Sequence, residues 1–228
     1  MLKIKTLRDA VEFIDQSGFL FLFRHPYGFH SMWDLVPGGT WFTGEENDPW
    51  RWKDEIAREK KAVYTKFCGN RSIFIALDWY PKFLAVYRPS GDLRDRYLDG
   101  LVSRMSMEIH QCLDENGPQN THNLKGLLGI RSKEAGRAFE RSLLELQNQM
   151  YITICGASQR INKSGEPYGW MNSEYELVDR WFGASILNRA SEIPKLTAME
   201  KIASRAKETA PGLAEQDVKR SFRLKFGA

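Results

Sequence analysis

Between Arg94 and Trp181 the hydrophobic pattern runs through three helical stretches and then changes to strand alternation, an order that constrains the fold more than any other stretch of the chain. From Asp95 to Asn116 the apolar residues Leu98, Leu101, Val102, Met105, Ile109, Cys112 and Leu113 fall on one face of a 3.6-residue period, so one helix is expected over this span. Gly117-Pro118 stops it. Thr121 is placed to cap a second, short helix carrying Leu124, Leu127 and Leu128, which ends at Gly129. Ser132 is placed to cap a third helix that turns Ala135, Phe139, Ser142, Leu143, Leu146 and Met150 inward. At about 100° per residue, Lys133, Arg137, Arg141, Leu144 and Asn148 then face the other way. After Met150 the pattern alternates, with a polar loop from Arg160 to Tyr168 before a second apolar stretch, Trp170 to Leu177, which reads as a hairpin. Helix, turn, helix and hairpin in this order make a winged helix-turn-helix over residues 95–181.

Such a module usually holds nucleic acid, and a row of cations spaced by four is suited to phosphates or guanine edges. The plainer alternatives are a solvated helix face or a module that docks protein. Residues 95–181 carry 10 Lys+Arg against 12 Asp+Glu, so affinity for DNA has to come from local placement of Arg131, Lys133, Arg137, Arg141, Asn148, Arg160 and Lys163. The +4 formal charge arises chiefly elsewhere, since residues 182–228 hold 9 basic and 5 acidic side chains. There Lys219, Arg220, Arg223 and Lys225 interleave with Phe222, Leu224 and Phe226, and the phenylalanines favour a packed closing segment over a loose phosphate-binding tail.

The first 94 residues hold five of the seven tryptophans and nine of the thirteen phenylalanines. Thr6 starts a helix that Gly18 breaks, and the apolar run Phe19 to Phe23 is either a buried strand or the core of a helix. A long loop rich in Gly, Pro, Asn and Asp follows to Pro49, then a helix expected from Trp50 to Phe67, then Ile73 to Val86 interrupted by Pro81. Aromatic residues beside a polar loop are able to stack on an unstacked base, or simply to fasten the loop to the core. Among the carboxylates, Asp34 and Glu55 are the candidates for a water-activating acid, though spacing alone brings no two together.

Cys68, Cys112 and Cys155 stand too far apart for a metal-ligand motif, and the four histidines form no ligand cluster, so no metal and no cofactor are expected. No apolar run approaches the ~20 residues of a membrane span. The N-terminus lacks a signal-peptide pattern, which makes the cytoplasm the expected location. No sequence repeat is visible. The expected architecture is therefore mainly α with small β-hairpins, an α+β chain of winged helix-turn-helix units. Residues 1–94 would be an aromatic-rich region or degenerate winged-helix unit, 95–181 the clear unit, and 182–228 a helical extension.

The segments Ile109 to Ile130, Phe139 to Gln147 and Tyr175 to Phe182, the last with a Tyr-Glu-Leu-x-x-Arg stretch, resemble the AlkZ/YcaQ-type winged-helix DNA glycosylases. The resemblance implies a winged-helix fold, contact with double-stranded DNA and, in active members, base excision. Two departures bear on the last point. The family closes with a β-rich domain for which residues 183–228 leave no room, and its Gln-x-Gln or Gln-x-Asp motif has as its counterpart the apolar Gly18 to Phe23. Gln147-Asn148-Gln149 spells Gln-x-Gln at the end of the third helix, in a different context. The implied function is DNA binding without glycosylase activity, the alternatives being a small base-excision glycosylase or a protein-docking scaffold.

Overall fold

A computed structural model describes residues 3–226 apart from 39, 46 and 163. Helix α1 (Leu7–Ser17) begins with a capping box in which Thr6 Oγ1 accepts from Asp9 N–H at 3.1 Å and Asp9 accepts from Thr6 N–H at 3.0 Å. Gly18 ends the helix in the left-handed region (φ 82°), and a Cβ there would lie 2.9 Å from the Trp79 ring. Strand β1 (Phe19–Phe21), helices α2 (Met32–Leu35) and α3 (Pro49–Arg58), and strands β2 (Val63–Phe67) and β3 (Arg71–Ile75) complete the first third. Helices α4 (Tyr80–Tyr87) and α5 (Leu93–Leu98) lead into α6 (Arg104–Asn116), β4 (Gln119–Asn120), α7 (Thr121–Leu127), α8 (Lys133–Asn148), β5 (Ile152–Ile161) and β6 (Pro167–Leu177). Four helices close the chain: α9 (Val178–Phe182), α10 (Ala184–Ser191), α11 (Lys195–Thr209) and α12 (Glu215–Ser221).

The architecture is mixed α/β, with twelve helices among the described residues and one antiparallel sheet of order β1-β3-β2-β5-β6-β4. A mainly α chain with small hairpins understates this sheet, which runs without a break from the N-terminal third through β5 and β6, of 10 and 11 residues. Although the sequence shows no repeat, the order helix–strand–helix–helix–strand–strand occurs twice, over 7–75 and over 104–177. The sheet order is its own mirror across the β2–β5 seam, where Tyr64 pairs with Ile154. Only shape is duplicated; the residues that build it differ.

The run Phe19 to Leu22 is apolar throughout because this end of the sheet is covered on both faces. Phe19, Phe21, Ile73, Ile75, Val63 and Phe67 pack with α4 and α10–α12. Leu20, Leu22, Phe74 and Tyr64 pack on the opposite side with α1, α3 and α8. The C-terminal phenylalanine question is settled in the same layer, since Phe222 and Leu224 are buried there and Phe226 packs against it.

Three element boundaries depart from the periodicity. The helix expected over 95–116 breaks after Leu98, because Gly100 turns left-handed (φ 71°) and Ser103 caps α6 through Ser106 N–H at 3.1 Å; Leu98 and Leu101 are left exposed. The helix expected over 50–67 ends at Arg58, Lys60 turns at φ 53°, and Val63–Phe67 joins the sheet between β3 and β5. The cap of α7 is Asn120, accepting from Asn123 N–H at 2.8 Å, one residue before the expected Thr121.

His25 is buried against Phe21 and Phe29, with ring centroids 4.5 and 5.0 Å away. Burial, aided by the positive charge of Arg71, holds its imidazole down to about 4. The folded chain therefore declines a proton that the unfolded chain takes up, and stability falls as pH drops from about 6.5 towards 4, by up to about 1.4 kcal/mol per pH unit. Denaturant titrations across this window should show a shallower slope for His25→Phe than for the parent; identical slopes would place the proton elsewhere.

Candidate nucleic-acid interface

Helix α8 is built by a clean division of its faces. Ser132 caps it through Ala135 N–H at 3.1 Å, and Phe139, Ser142, Leu143 and Leu146 are buried. Two hydrogen bonds fix it to α6: Ser106 donates to Glu145 at 2.6 Å, and the Ser103 and Ser142 hydroxyls meet at 3.0 Å. The remaining face presents Lys133, Arg137 and Arg141 to solvent in a single row. Among the described residues none of these three, nor the exposed Arg131 and Arg160, has a carboxylate within ion-pair distance. Glu140, on the same helix, is held instead by Lys125 at 2.6 Å. Cations without local partners keep their hydrogen-bonding capacity for an external anion.

The last turn of α8 is engaged within the protein. Gln147 Oε1 accepts from Lys66 N–H at 3.0 Å and Asn148 Oδ1 accepts from Cys68 N–H at 3.1 Å, while both amides donate to helix carbonyls at 3.1 and 2.7 Å. The Gln-x-Gln spelling at 147–149 thus marks a latch onto the backbone of β2. Asn148, expected on the outward face, is half-buried in that latch.

The β5–β6 hairpin meets α8 at its base, where Tyr175 faces Glu140, Leu143 and Gln147 across a shallow cleft. Its tip is closed by Asn162 Oδ1, which accepts from Ser164 and Glu166 N–H at 2.9 and 2.8 Å. Arg160 is exposed on β5, and Lys163 lies outside the described residues. Trp170 is 90% exposed, with Ile161, Tyr168 and Met171 also open to solvent. The Tyr-Glu-Leu-x-x-Arg stretch anchors the base of this hairpin. Buried Glu176 accepts from Arg180 at 2.7 Å, and Arg180 also donates to the Asp114 carbonyl at 3.0 Å and to that of Leu113 at the end of α6.

The two carboxylates singled out by sequence go to different places. Asp34 accepts from Arg24 and from the Ser31 hydroxyl, both at 2.6 Å. Burial alone would raise its carboxyl, but the Ser31 and Arg24 hydrogen bonds outweigh it and hold the group below the ordinary value. Glu55 is half-buried on the wall of a cleft of about 510 Å³ between α3 and the hairpin. Asp54, another carboxylate of this region open to the same reading by sequence, also lines the cleft, and what the sequence reading missed is its pairing with Lys53. Lys53 and Asp54 are only 8% and 11% exposed at their side chains, with Lys53 Nζ 2.7 Å from both Asp54 oxygens and 4.4 Å from the Trp50 ring centre. Burial pushes the Asp54 carboxyl up, against the pull of Lys53. A signal for this pair was present, since Lys53 stands three and four residues before Ile56 and Ala57, on the inward face of α3.

No group of three or more His, Cys, Asp or Glu placed to hold a metal ion occurs among the described residues. Nor, among them, is any helix long and apolar enough to cross a membrane.

Breaking a buried ion pair costs more than deleting it, about 3–5 kcal/mol against a near-neutral change. Chemical denaturation should accordingly find Lys53→Met strongly destabilised and the double variant Lys53→Met/Asp54→Leu, with both charges replaced by apolar groups, close to the parent. Equal losses in the two would mean that the pair is solvated.

No curated protein and no solved structure matches this chain. The family model described as AlkZ related matches residues 4–223, nearly the whole length. With that coverage, the chain belongs to the AlkZ-related family.

Proposed function

We propose that this protein binds double-stranded DNA through a winged helix-turn-helix formed by residues 95–181, with α8 as the recognition helix and the β5–β6 hairpin as the wing. The observation that carries this reading is the row Lys133, Arg137 and Arg141, exposed and without carboxylate partners among the described residues, on the third helix of a helix–strand–helix–helix–hairpin unit. Arg137 and Arg141 contact the groove or its phosphates, and Lys133, Arg131, Arg160 and Lys163 position the duplex. Residues 1–94 are a second, degenerate unit of the same kind, and residues 182–228 are a helical extension packed on it. The protein acts in the cytoplasm, with no cofactor.

Membership of the AlkZ-related family supports a relation to DNA glycosylases. In the proposed reading base excision is absent. The counterpart of the family's catalytic amides is β1, whose Phe19, Leu20 and Phe21 are all buried and offer no group to orient water or steady a developing sugar cation.

Replacing Arg137 and Arg141 together by Ala should weaken binding of a labelled duplex at least tenfold in fluorescence anisotropy, and flatten the salt dependence by about two phosphate contacts. An unchanged affinity and slope would remove α8 from the interface. Incubation of an alkylated duplex with excess protein should yield no abasic sites, and their accumulation would restore the glycosylase reading.

A further inference from the structure

The cleft between α3 and the hairpin lies beside an aromatic group in which Trp41 and Trp50 rest against the core while Phe23, Trp33 and Phe42 stay exposed. Phe23, Trp33, Trp41, Phe42 and Trp50 form one connected group, with ring centroids 5.1–6.4 Å apart. Phe42 is 58% exposed, Phe23 43% and Trp33 36%, a concentration that marks a binding surface more often than a packing accident. The loop bearing Trp41 and Phe42 is tied to the start of α3 through its backbone. Asp48, itself buried, accepts from the N–H groups of Phe42, Gly44 and Trp50 at 3.0, 3.0 and 2.9 Å, and Phe42 is kept at φ 61°, a conformation costly for a bulky side chain.

Trp50 joins this surface to the cleft. Beyond it lie Asp54 and Glu55, with Gln159 and Met171 of the hairpin on the facing side and Arg51 and Arg58 also in the lining. Lys53 supplies the counter-charge to the buried Asp54 carboxyl, whose oxygens are acceptors at the cleft. A flat apolar wall, carboxylate acceptors, an amide that both donates and accepts, and guanidinium groups together complement a heteroaromatic ring with an amine on its edge and a phosphate attached. We propose that this cleft receives an unstacked nucleobase bearing an exocyclic amine, adenine being the simplest case, with Trp50 as the stacking face and Asp54 as the acceptor for the amine. The inference rests on the DNA-binding reading for the source of the base. It gives the N-terminal third a role in sensing bulged or mispaired positions, where extrusion is least costly.

Two measurements decide it. Anisotropy should show a duplex with one bulged adenine bound at least fivefold tighter than the matched duplex. That preference should vanish in Trp50→Ala and in Lys53→Met/Asp54→Leu, while matched-duplex affinity stays the same. Adenosine alone should shift the Trp50 indole N–H resonance saturably in 1H–15N spectra, and inosine, which has a carbonyl in place of the amine, should do so at least fivefold more weakly. Equal binding of bulged and matched duplexes overturns the proposal and leaves the α8 interface standing, as does a bulge preference that survives both variants. Should neither duplex bind, the α8 reading fails; a saturable adenosine shift then upholds the cleft as a nucleobase site, and its absence overturns that too.

Discussion

The meeting of β2 with β5 organises this protein. Backbone pairing across the seam is confined to Tyr64 and Ile154, reinforced by the Thr153 hydroxyl donating to the Tyr64 carbonyl at 3.1 Å. So little pairing would leave β2 with exposed amides, which are costly to bury unmet. The protein meets them with side chains, Gln147 and Asn148 taking the N–H groups of Lys66 and Cys68. On the other side of the seam Arg58, just at the end of α3, donates to the Ala157 carbonyl at 2.9 Å. Each third helix thus braces the strand of the other unit, and the two halves share one sheet.

That reciprocity has consequences for surface chemistry. Because the last turn of α8 is spent on β2, the cationic row is left to its earlier turns, where Lys133, Arg137 and Arg141 are exposed and form no ion pair among the described residues. Because the end of α3 is drawn onto β5, its first turns lie along the hairpin and form the cleft with Gln159 and Met171. The hairpin therefore walls the cleft on the side facing α3.

Buried charge is the least economical feature of the molecule. Glu176 with Arg180 ties the hairpin to the carbonyls at the end of α6, so its structural use is evident. Among the described residues Lys53 and Asp54 make no ion pair across the fold; they are sequence neighbours bonded to each other, with Asp54 lining a cleft. Replacing such a pair with apolar residues is commonly neutral or stabilising, so its presence calls for a use other than stability.

Much of the second unit was legible in the sequence, because its helices are amphipathic and its hairpin alternates, so period alone places α8, its cap at Ser132 and the outward row of cations. The same rule could not place Phe19 to Leu22 or Val63 to Phe67. A strand covered on both faces has no polar side to alternate with, and the second covering layer comes from α10–α12, more than a hundred residues away. Nor could it break the helix at Gly100, where Ser103 is held by Ser142 of α8. Sequence by itself determined the local periods, the caps at Thr6 and Ser132, and the resemblance to a family. Tertiary structure alone decided the shared sheet, the repeated order of elements and the cleft that joins Trp50 and Asp54 to the hairpin, since all three depend on contacts between residues distant in the chain, which no local pattern encodes.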